Sequence, residues 1–324
     1  MNDKVAIIIL NWNGSADTIE CLTSVGKIQY PNVEIIVVDN GSTDGSPGAI
    51  KTSFPYVTII NNPVNRGYAE GNNVGIRHAL KNNAEFILLL NNDTVVNRDI
   101  LTILLKAAQD HPEAGVFSTS IYSYQERDLP TFTAKYWDHH AMRFLERHHG
   151  VDDDAVETDY VDGSVMFFRR AVVEKAGFFE PSFFLNYDEI DWCCRVKRSG
   201  FTLLIIPRAK VWHKVSRSFG GKGPLFYYFF VRNRLYWAQR NLPALQRWHE
   251  YAAVLSDFFP HSFYGKKTPL IKRMYWDILL LARERMIVVT KLIGIGNFLA
   301  QRFGGYPVYV KRIDEKYFKQ KLSP

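Results

Sequence analysis

Three carboxylates crowd the segment Tyr187-Asp188-Glu189-Ile190-Asp191-Trp192. Like charges at that density repel unless the groups cap a helix, hold a cation or exchange protons. Asp188 and Asp191 have the spacing of a helix N-cap and its third-position partner. Capping leaves Glu189 unexplained. From the first turn its carboxylate can project into a cleft and take the proton of an attacking hydroxyl. The competing reading is that all three simply cap and solvate a helix start.

A second acidic position has different neighbours. The apolar run at residues 86–90 delivers Asn91-Asn92-Asp93. A carboxylate at a strand end suits a hard divalent cation, with the Asn92 amide as a further donor. Otherwise the triplet is a turn that caps the next helix. Further on, Trp212-His213-Lys214 offers a neutral imidazole that can complete the same metal shell, although a lone histidine is more often structural. Asp39 opens Asp-Asn-Gly-Ser-Thr-Asp-Gly-Ser after the run at 33–38. Its carboxylate can accept the imide N–H of a pyrimidine base, while Asp44 suits a helix cap. In Asn65-Arg66-Gly67-Tyr68-Ala69-Glu70-Gly71-Asn72-Asn73, Arg66 can pair with phosphate and Gly67 permits close backbone approach.

These residues need a scaffold that gathers them. Apolar runs at 5–10, 33–38, 57–60 and 86–90 read as buried strands, separated by helix-compatible segments at 15–25, 45–53 and 69–82. Strict alternation predicts an α/β fold with a mostly parallel sheet flanked by helices. Ligands bind beyond the carboxyl ends of such strands, where Asn11-Trp12-Asn13-Gly14, Asp39 and Asp93 fall. A helix at 100–108 and a strand at 115–120 follow. Residues 122–159, with His139-His140, His148-His149 and Asp152-Asp153-Asp154, lack periodicity and read as an irregular, lid-like insertion. Order returns at 163–168, 170–176, 189–199 and the strand 202–206, which the Pro207 turn ends. The expected organisation is a catalytic domain at 1–223, with a nucleotide-binding half to 95 and an acceptor and base half from 96. A helical appendage occupies 224–324.

The bulk properties narrow the partners. The chain has 324 residues, 47% of them hydrophobic, and a net charge of +7, which favours an anionic partner. Nucleotide diphosphates, anionic lipid and nucleic acid all satisfy that sign, and only the charge itself speaks for nucleic acid. Cys21, Cys193 and Cys194 form no C-x-x-C pair and suit a reducing compartment. An apolar strand begins within a few residues of Met1 without a charged leader, so no signal peptide is expected. Apolar stretches near 278–282 and 286–295 are interrupted by Arg283, Glu284, Arg285 and Lys291, too short to span a bilayer. The expectation is a cytoplasmic protein, soluble or peripheral on the inner face of the plasma membrane. Leu225-Phe226-Tyr227-Tyr228-Phe229-Phe230 suits helix packing, whereas the basic residues beyond it, Arg232, Arg234, Arg240, Lys266, Lys267, Lys272 and Arg273, suit an anionic membrane surface.

Taken in order, Asn-Trp-Asn-Gly, Val-Asp-Asn-Gly-Ser-Thr-Asp, Asn-Arg-Gly-Tyr-Ala-Glu-Gly-Asn-Asn, Leu-Asn-Asn-Asp, Asp-Gly-Ser-Val-Met-Phe-Phe-Arg-Arg and Asp-Glu-Ile-Asp-Trp-Cys-Cys-Arg resemble the blocks of the family 2 inverting glycosyltransferases. These are enzymes of GT-A fold, and the nearest flavour is similar to rhamnosyltransferases of surface polysaccharide assembly. The resemblance covers roughly residues 5–215. It implies transfer of a sugar from a UDP- or dTDP-sugar donor, dTDP-rhamnose among them, to a glycan or lipid-linked acceptor. Nucleotide contacts then fall on Asn11, Asn13, Asp39, Arg66, Gly67, Asn73 and Asn92, and sugar or acceptor contacts on Asp162, Gly163 and Trp192. Asp93 and His213 become ligands of Mn²⁺ or Mg²⁺, and Glu189 the base, with Asp188 or Asp191 as alternatives. Two departures stand out: the usual Glu-Asp base motif reads Asp188-Glu189, and the metal motif reads Asn-Asn-Asp rather than Asp-x-Asp, which weakens the hold on the ion.

Other readings fit less well. A sugar-nucleotide pyrophosphorylase needs a glycine- and arginine-rich loop after the first strand, and Asn11-Trp12-Asn13-Gly14 is not one. A dinucleotide oxidoreductase needs the G-x-G-x-x-G spacing that is missing there. A catalytically silent nucleotide-sugar-binding subunit of an assembly complex remains, opposed by the intact Asp93, Glu189 and His213.

Overall fold

The computed structural model describes residues 3–138, 143–147, 154–214, 223–258 and 269–322. His139, His140, His148, His149, Asp152, Asp153, Lys266 and Lys267 lie outside them. Two compact units emerge: Met1–Phe184 with Asp188–Val215, and Leu185–Tyr187 with Ser216–Pro324.

The first unit is a sheet flanked by helices. Strands β1 (Val5–Asn11), β2 (Val33–Asp39), β3 (Thr58–Asn61) and β4 (Phe86–Asn91) are all parallel, with β1 between β2 and β4. Every residue of the Val5–Ile9 run is buried, as a central strand covered on both faces requires. Each such aliphatic side chain contributes about 1.5–3 kcal/mol. Helices α1 (Ser15–Val25), α2 (Ser46–Ser53) and α3 (Gly67–Lys81) connect the strands. Helix α3 approaches β1 through glycines one turn apart. A Cβ on Gly71 would meet Leu10 Cδ1 at 2.6 Å, and one on Gly75 would meet Ile8 Cγ2 at 2.5 Å.

Beyond β4 the sheet becomes mixed. After β5 (Thr94–Val96) and α4 (Ile100–Asp110) come β6 (Ala114–Ser123), β7 (Pro130–Phe132), β8 (Ala134–Asp138), β9 (Arg143–Arg147), β10 (Val156–Glu157), β11 (Val165–Arg169), α5 (Arg170–Ala176), α6 (Asp188–Arg198) and β12 (Thr202–His213). The strand order is β10-β12-β6-β11-β4-β1-β2-β3, with β11 antiparallel to both β4 and β6.

Two expectations are corrected here. The described part of residues 122–159 is not irregular: β7 pairs with β6, and β8 pairs with β9 as a separate antiparallel hairpin. Phe144 packs edge-on against Trp137 and Tyr160, cross-strand and bridging contacts that sequence periodicity does not reveal. Pro207 does not end its strand either. β12 continues to His213, absorbing a register shift between Ile206 and Lys210 where it pairs with β6. A proline is tolerated at such an irregularity because no ladder donor is required of it.

The second unit is helical: α7 (Pro224–Asn241), α8 (Ala244–Ser256), α9 (Leu270–Arg283), α10 (Arg285–Leu299) and α11 (Val308–Leu322). Its core includes Val231, Leu235, Val254 and Phe298. Leu225, Tyr228 and Phe229 are buried, so that part of the aromatic run serves packing, and Arg232, expected at a membrane surface, is fully buried with them. No helix among the described residues is long and apolar enough to cross a membrane.

Candidate active site

The polar residues at the strand ends form a connected layer. Asn11, the last residue of β1, is fully buried; its Nδ2 donates to Asp39 Oδ1 (2.7 Å), and its Oδ1 accepts from Thr18 Oγ1 (2.8 Å). Asp39 Oδ2 accepts the Ser42 amide (2.9 Å). Register explains the pairing, because Asn11 and Asp39 stand opposite each other on adjacent parallel strands. Asn13 is exposed, with Oδ1 receiving the Thr43 amide at 2.8 Å. Asn92 Nδ2 donates to Thr18 Oγ1 (3.1 Å), tying the loop after β4 to α1.

Asp93 and His213 meet through the sheet. β12 runs antiparallel to β5 with His213 opposite Thr94, which sets the imidazole beside Asp93. His213 Nε2 lies 3.0 Å from Asp93 Oδ1, and the Lys214 amide donates to the Asp93 carbonyl (3.1 Å). Burial pulls the His213 imidazolium down, but the hydrogen bond and charge of Asp93, together with Asp162, outweigh it and the net shift is upward. Lys214 reaches Asp17 (2.6 Å) and Glu20 on α1.

Asp188 is buried at the first position of α6, while Glu189 keeps part of its surface accessible. The two carboxyls are hydrogen-bonded to each other. Burial pushes Glu189 well above the ordinary range, and the Asp188 charge and hydrogen bond push it further. Asp188 is raised to about 6, again chiefly by burial, and acts as the acceptor of the pair. Two adjacent carboxylates repel when both are ionised, so the second gives up its proton only at higher pH. Asp162, whose Oδ1 caps the Ser164 amide at 2.8 Å, acts electrostatically on both Glu189 and His213. It lies between the acid pair and the Asp93–His213 pair in influence.

Several expected contacts are engaged elsewhere. Trp192 is fully buried, donates Nε1–H to the Gly177 carbonyl (2.8 Å) and stacks on Phe179, so it belongs to the core. Asn73 is buried too: its Nδ2 donates to the Phe179 carbonyl (2.9 Å), and its Oδ1 accepts the Phe179 amide (3.0 Å). It braces a loop and has no amide to spare for a nucleotide. Asp191 pairs with Arg195 (3.0 Å), whose guanidinium also holds the Ala176 and Phe178 carbonyls. A buried, paired carboxylate is poorly suited to take up a proton, so of the three carboxyls Asp188 and Glu189 are better placed than Asp191. Gly67, at φ +78°, does permit close backbone approach, but to Phe184: a Cβ there would sit 2.3 Å from the Phe184 carbonyl oxygen. Arg66 is exposed, 3.8 Å from Glu70.

Sequence reasoning missed Tyr68. Its hydroxyl donates to the Gly163 carbonyl. Burial, followed by the charges of Asp188, Glu189 and Asp162, raises its phenol well above the usual value. The signal was its place just after the Gly67 turn, at the start of a helix that faces the sheet edge.

The chain is similar to proteins already known. A family model described as Glycosyl transferase family 2 matches residues 6–177. The low-salt glycan biosynthesis hexosyltransferase Agl10 of Haloferax volcanii is 28% identical over 207 residues, 63% of this chain and 64% of that protein. This chain therefore spans under two thirds of that relative's length. The N-acetylglucosaminyl-diphospho-decaprenol L-rhamnosyltransferase of Mycobacterium tuberculosis is 22% identical over 243 residues, 68% of this chain and 79% of that protein. Among solved structures, the mannosyltransferase PcManGT from Pyrobaculum calidifontis, in complex with GDP-Man and Mn²⁺, superposes with a TM-score of 0.56 at 15% identity. It covers 92% of this chain and 88% of its own.

Proposed function

The chain belongs to glycosyl transferase family 2, and from that premise we propose that it transfers a sugar from a nucleoside diphosphate to an acceptor hydroxyl, inverting the anomeric carbon. The observation that carries this reading is the presence of two electrostatic pairs, Asp93–His213 and Asp188–Glu189, with Asp162 acting on both.

In this reading Asn11, Asn13, Asp39 and Asn92 receive the nucleoside and Arg66 meets its phosphates. Glu189 takes the acceptor proton as that oxygen bonds to the anomeric carbon; the bond to the diphosphate breaks on the opposite face, and the nucleoside diphosphate leaves. Asp188 keeps the Glu189 proton affinity high, and Tyr68 holds the Gly163 carbonyl in place behind Asp162. A divalent ion fits the first pair. A carboxylate oxygen and an imidazole nitrogen stand 3.0 Å apart, and no group of three such side chains converges among the described residues. Mg²⁺-type sites use one or two protein donors and complete their shell with substrate phosphate and water. When bound, Mn²⁺ or Mg²⁺ supplies positive charge to the departing diphosphate.

The name of the M. tuberculosis relative makes dTDP-rhamnose the first donor to try and a lipid-linked diphosphate glycan the first acceptor. Helix α9 supports a membrane-borne acceptor: Ile271, Met274, Tyr275 and Ile278 form an exposed apolar stripe beside exposed Lys272, while Asp277 is buried. Rings and basic side chains arranged this way suit an anionic headgroup layer.

The test is a panel of dTDP-rhamnose, UDP-glucose and UDP-N-acetylglucosamine, with and without Mn²⁺. A true donor at a hundredfold excess over Kd stabilises the fold by about 2.7 kcal/mol. The anomeric configuration of the product is then read by NMR. A retained configuration overturns the mechanism, and donor binding without turnover favours a silent binding subunit.

A further inference from the structure

The chain immediately ahead of the acid pair is held in a costly conformation. Phe184, Asn186 and Tyr187 have φ of +64°, +65° and +68°. Non-glycine residues enter this region rarely, at about 1–3 kcal/mol each, and persist there only when the surroundings over-determine them.

The surroundings of Leu185–Tyr187 lie within the C-terminal unit, to which these three residues belong. Asn233 of α7 is fully buried, and its Nδ2 donates to both the Leu185 carbonyl (2.6 Å) and the Asn186 carbonyl (2.9 Å). Arg232 Nε donates to Asn233 Oδ1 (2.9 Å) and so fixes which way the amide points. Arg232 is anchored in turn on the Gly304 carbonyl at 2.8 Å. The Tyr187 ring packs against Phe230 and Trp237, with centroids 5.5 and 6.0 Å away.

We propose that Asn233 is a positioning residue for the proton-accepting pair: by holding the two carbonyls of the strained Leu185–Tyr187 segment, it fixes where α6 begins and therefore where the Asp188 and Glu189 carboxyls lie. This inference rests on the reading of Glu189 as the base. The mechanism is geometric. A φ reversal at Asn186 or Tyr187 re-aims the chain directly after it, and the next two residues are Asp188 and Glu189. Only a side chain with two hydrogens on one atom can satisfy two successive carbonyls in this way, with its own oxygen left for Arg232. Aspartate would face the carbonyls with negative charge, and alanine would leave them unpaired.

Asp162 and Asp191 act on the pair, together with the two carboxyls on each other, and the pair in turn acts on Tyr68 and Cys193. Releasing the segment separates the carboxyls and admits water, which weakens both causes of the high Glu189 proton affinity. The experiment is a pH titration of the protonated-carboxyl C=O stretch by infrared difference spectroscopy on the full chain, so it needs no identified substrate. The parent should show a band that persists above the ordinary carboxyl range and vanishes in Glu189→Gln. In Asn233→Ala its midpoint should fall by about one pH unit or more, a differential interaction of about 1.4 kcal/mol. Asn233→Ser, which keeps one donor, should fall between, and it serves if the alanine variant does not fold. Cooperatively folded Asn233 variants with the parental midpoint overturn the positioning role. A band that survives Glu189→Gln overturns the acid-pair reading itself, and this is seen without touching Asn233.

Discussion

His213 Nε2 stands 3.0 Å from Asp93 Oδ1 although 120 residues separate them. The contact exists because β12 passes its proline without turning and runs on to pair with β5. If this pair holds the divalent ion, Asp93→Ala should abolish Mn²⁺-dependent donor binding and His213→Ala should weaken it about 10- to 100-fold. Calorimetric titration with Mn²⁺ and a nucleotide sugar checks both. Two variants that bind like the parent would remove the assignment.

The raised Glu189 carboxyl gives the rate profile its sign. A base must be ionised to act, so kcat/KM should climb as pH passes the elevated Glu189 value and flatten above it. Asp188 contributes to that elevation through its charge. Asp188→Asn should therefore move the acid limb to lower pH, while Glu189→Gln should cut turnover at least about a hundredfold with donor affinity nearly unchanged.

The same shift has a consequence for stability. A carboxyl whose folded pKa is raised contributes stability that is fully present below its unfolded pKa and is lost progressively as pH rises from there through the folded value. Forced ionisation of Glu189 beside the Asp188 charge then opposes folding. Glu189→Gln should melt higher than the parent at alkaline pH and show little difference near pH 4. Thermal unfolding across pH measures this, and an alkaline Tm at or below the parent's would contradict it.

Asn73 should behave as a brace. Asn73→Ala strands the amide and carbonyl of Phe179 and should cost about 1–3 kcal/mol in urea unfolding. Donor affinity of the folded fraction should be unchanged; a selective loss of donor binding would restore a nucleotide role.

Helix α9 makes the membrane reading testable. Co-sedimentation with anionic liposomes should be strong at low salt and reduced at high salt, and Ile271→Ser with Tyr275→Ser should weaken it. Binding that is indifferent to lipid charge, or absent at low salt, would mean the exposed stripe serves another purpose.

By itself the sequence determined the alternation of strand and helix, and it put Asn11, Asp39 and Asp93 at strand ends. Those inferences rest on local period and on residue chemistry, both written in adjacent positions. The identity of the buried pairs was not written there. Trp192 and Asn73 carry the polar groups expected of ligand contacts, yet the backbone of residues 177–179 claims them. A buried donor must find a partner, and chain packing decides which one lies within reach. Pro207 read as a stop because proline removes a donor, but the register shift beside it made that donor unnecessary. The positive φ at Tyr187 leaves no trace in residue type either, although asparagine, as at 186, enters that region more readily than most residues. Asn233, 47 residues past Asn186, holds two carbonyls of that segment, and only the folded chain brings its amide to them.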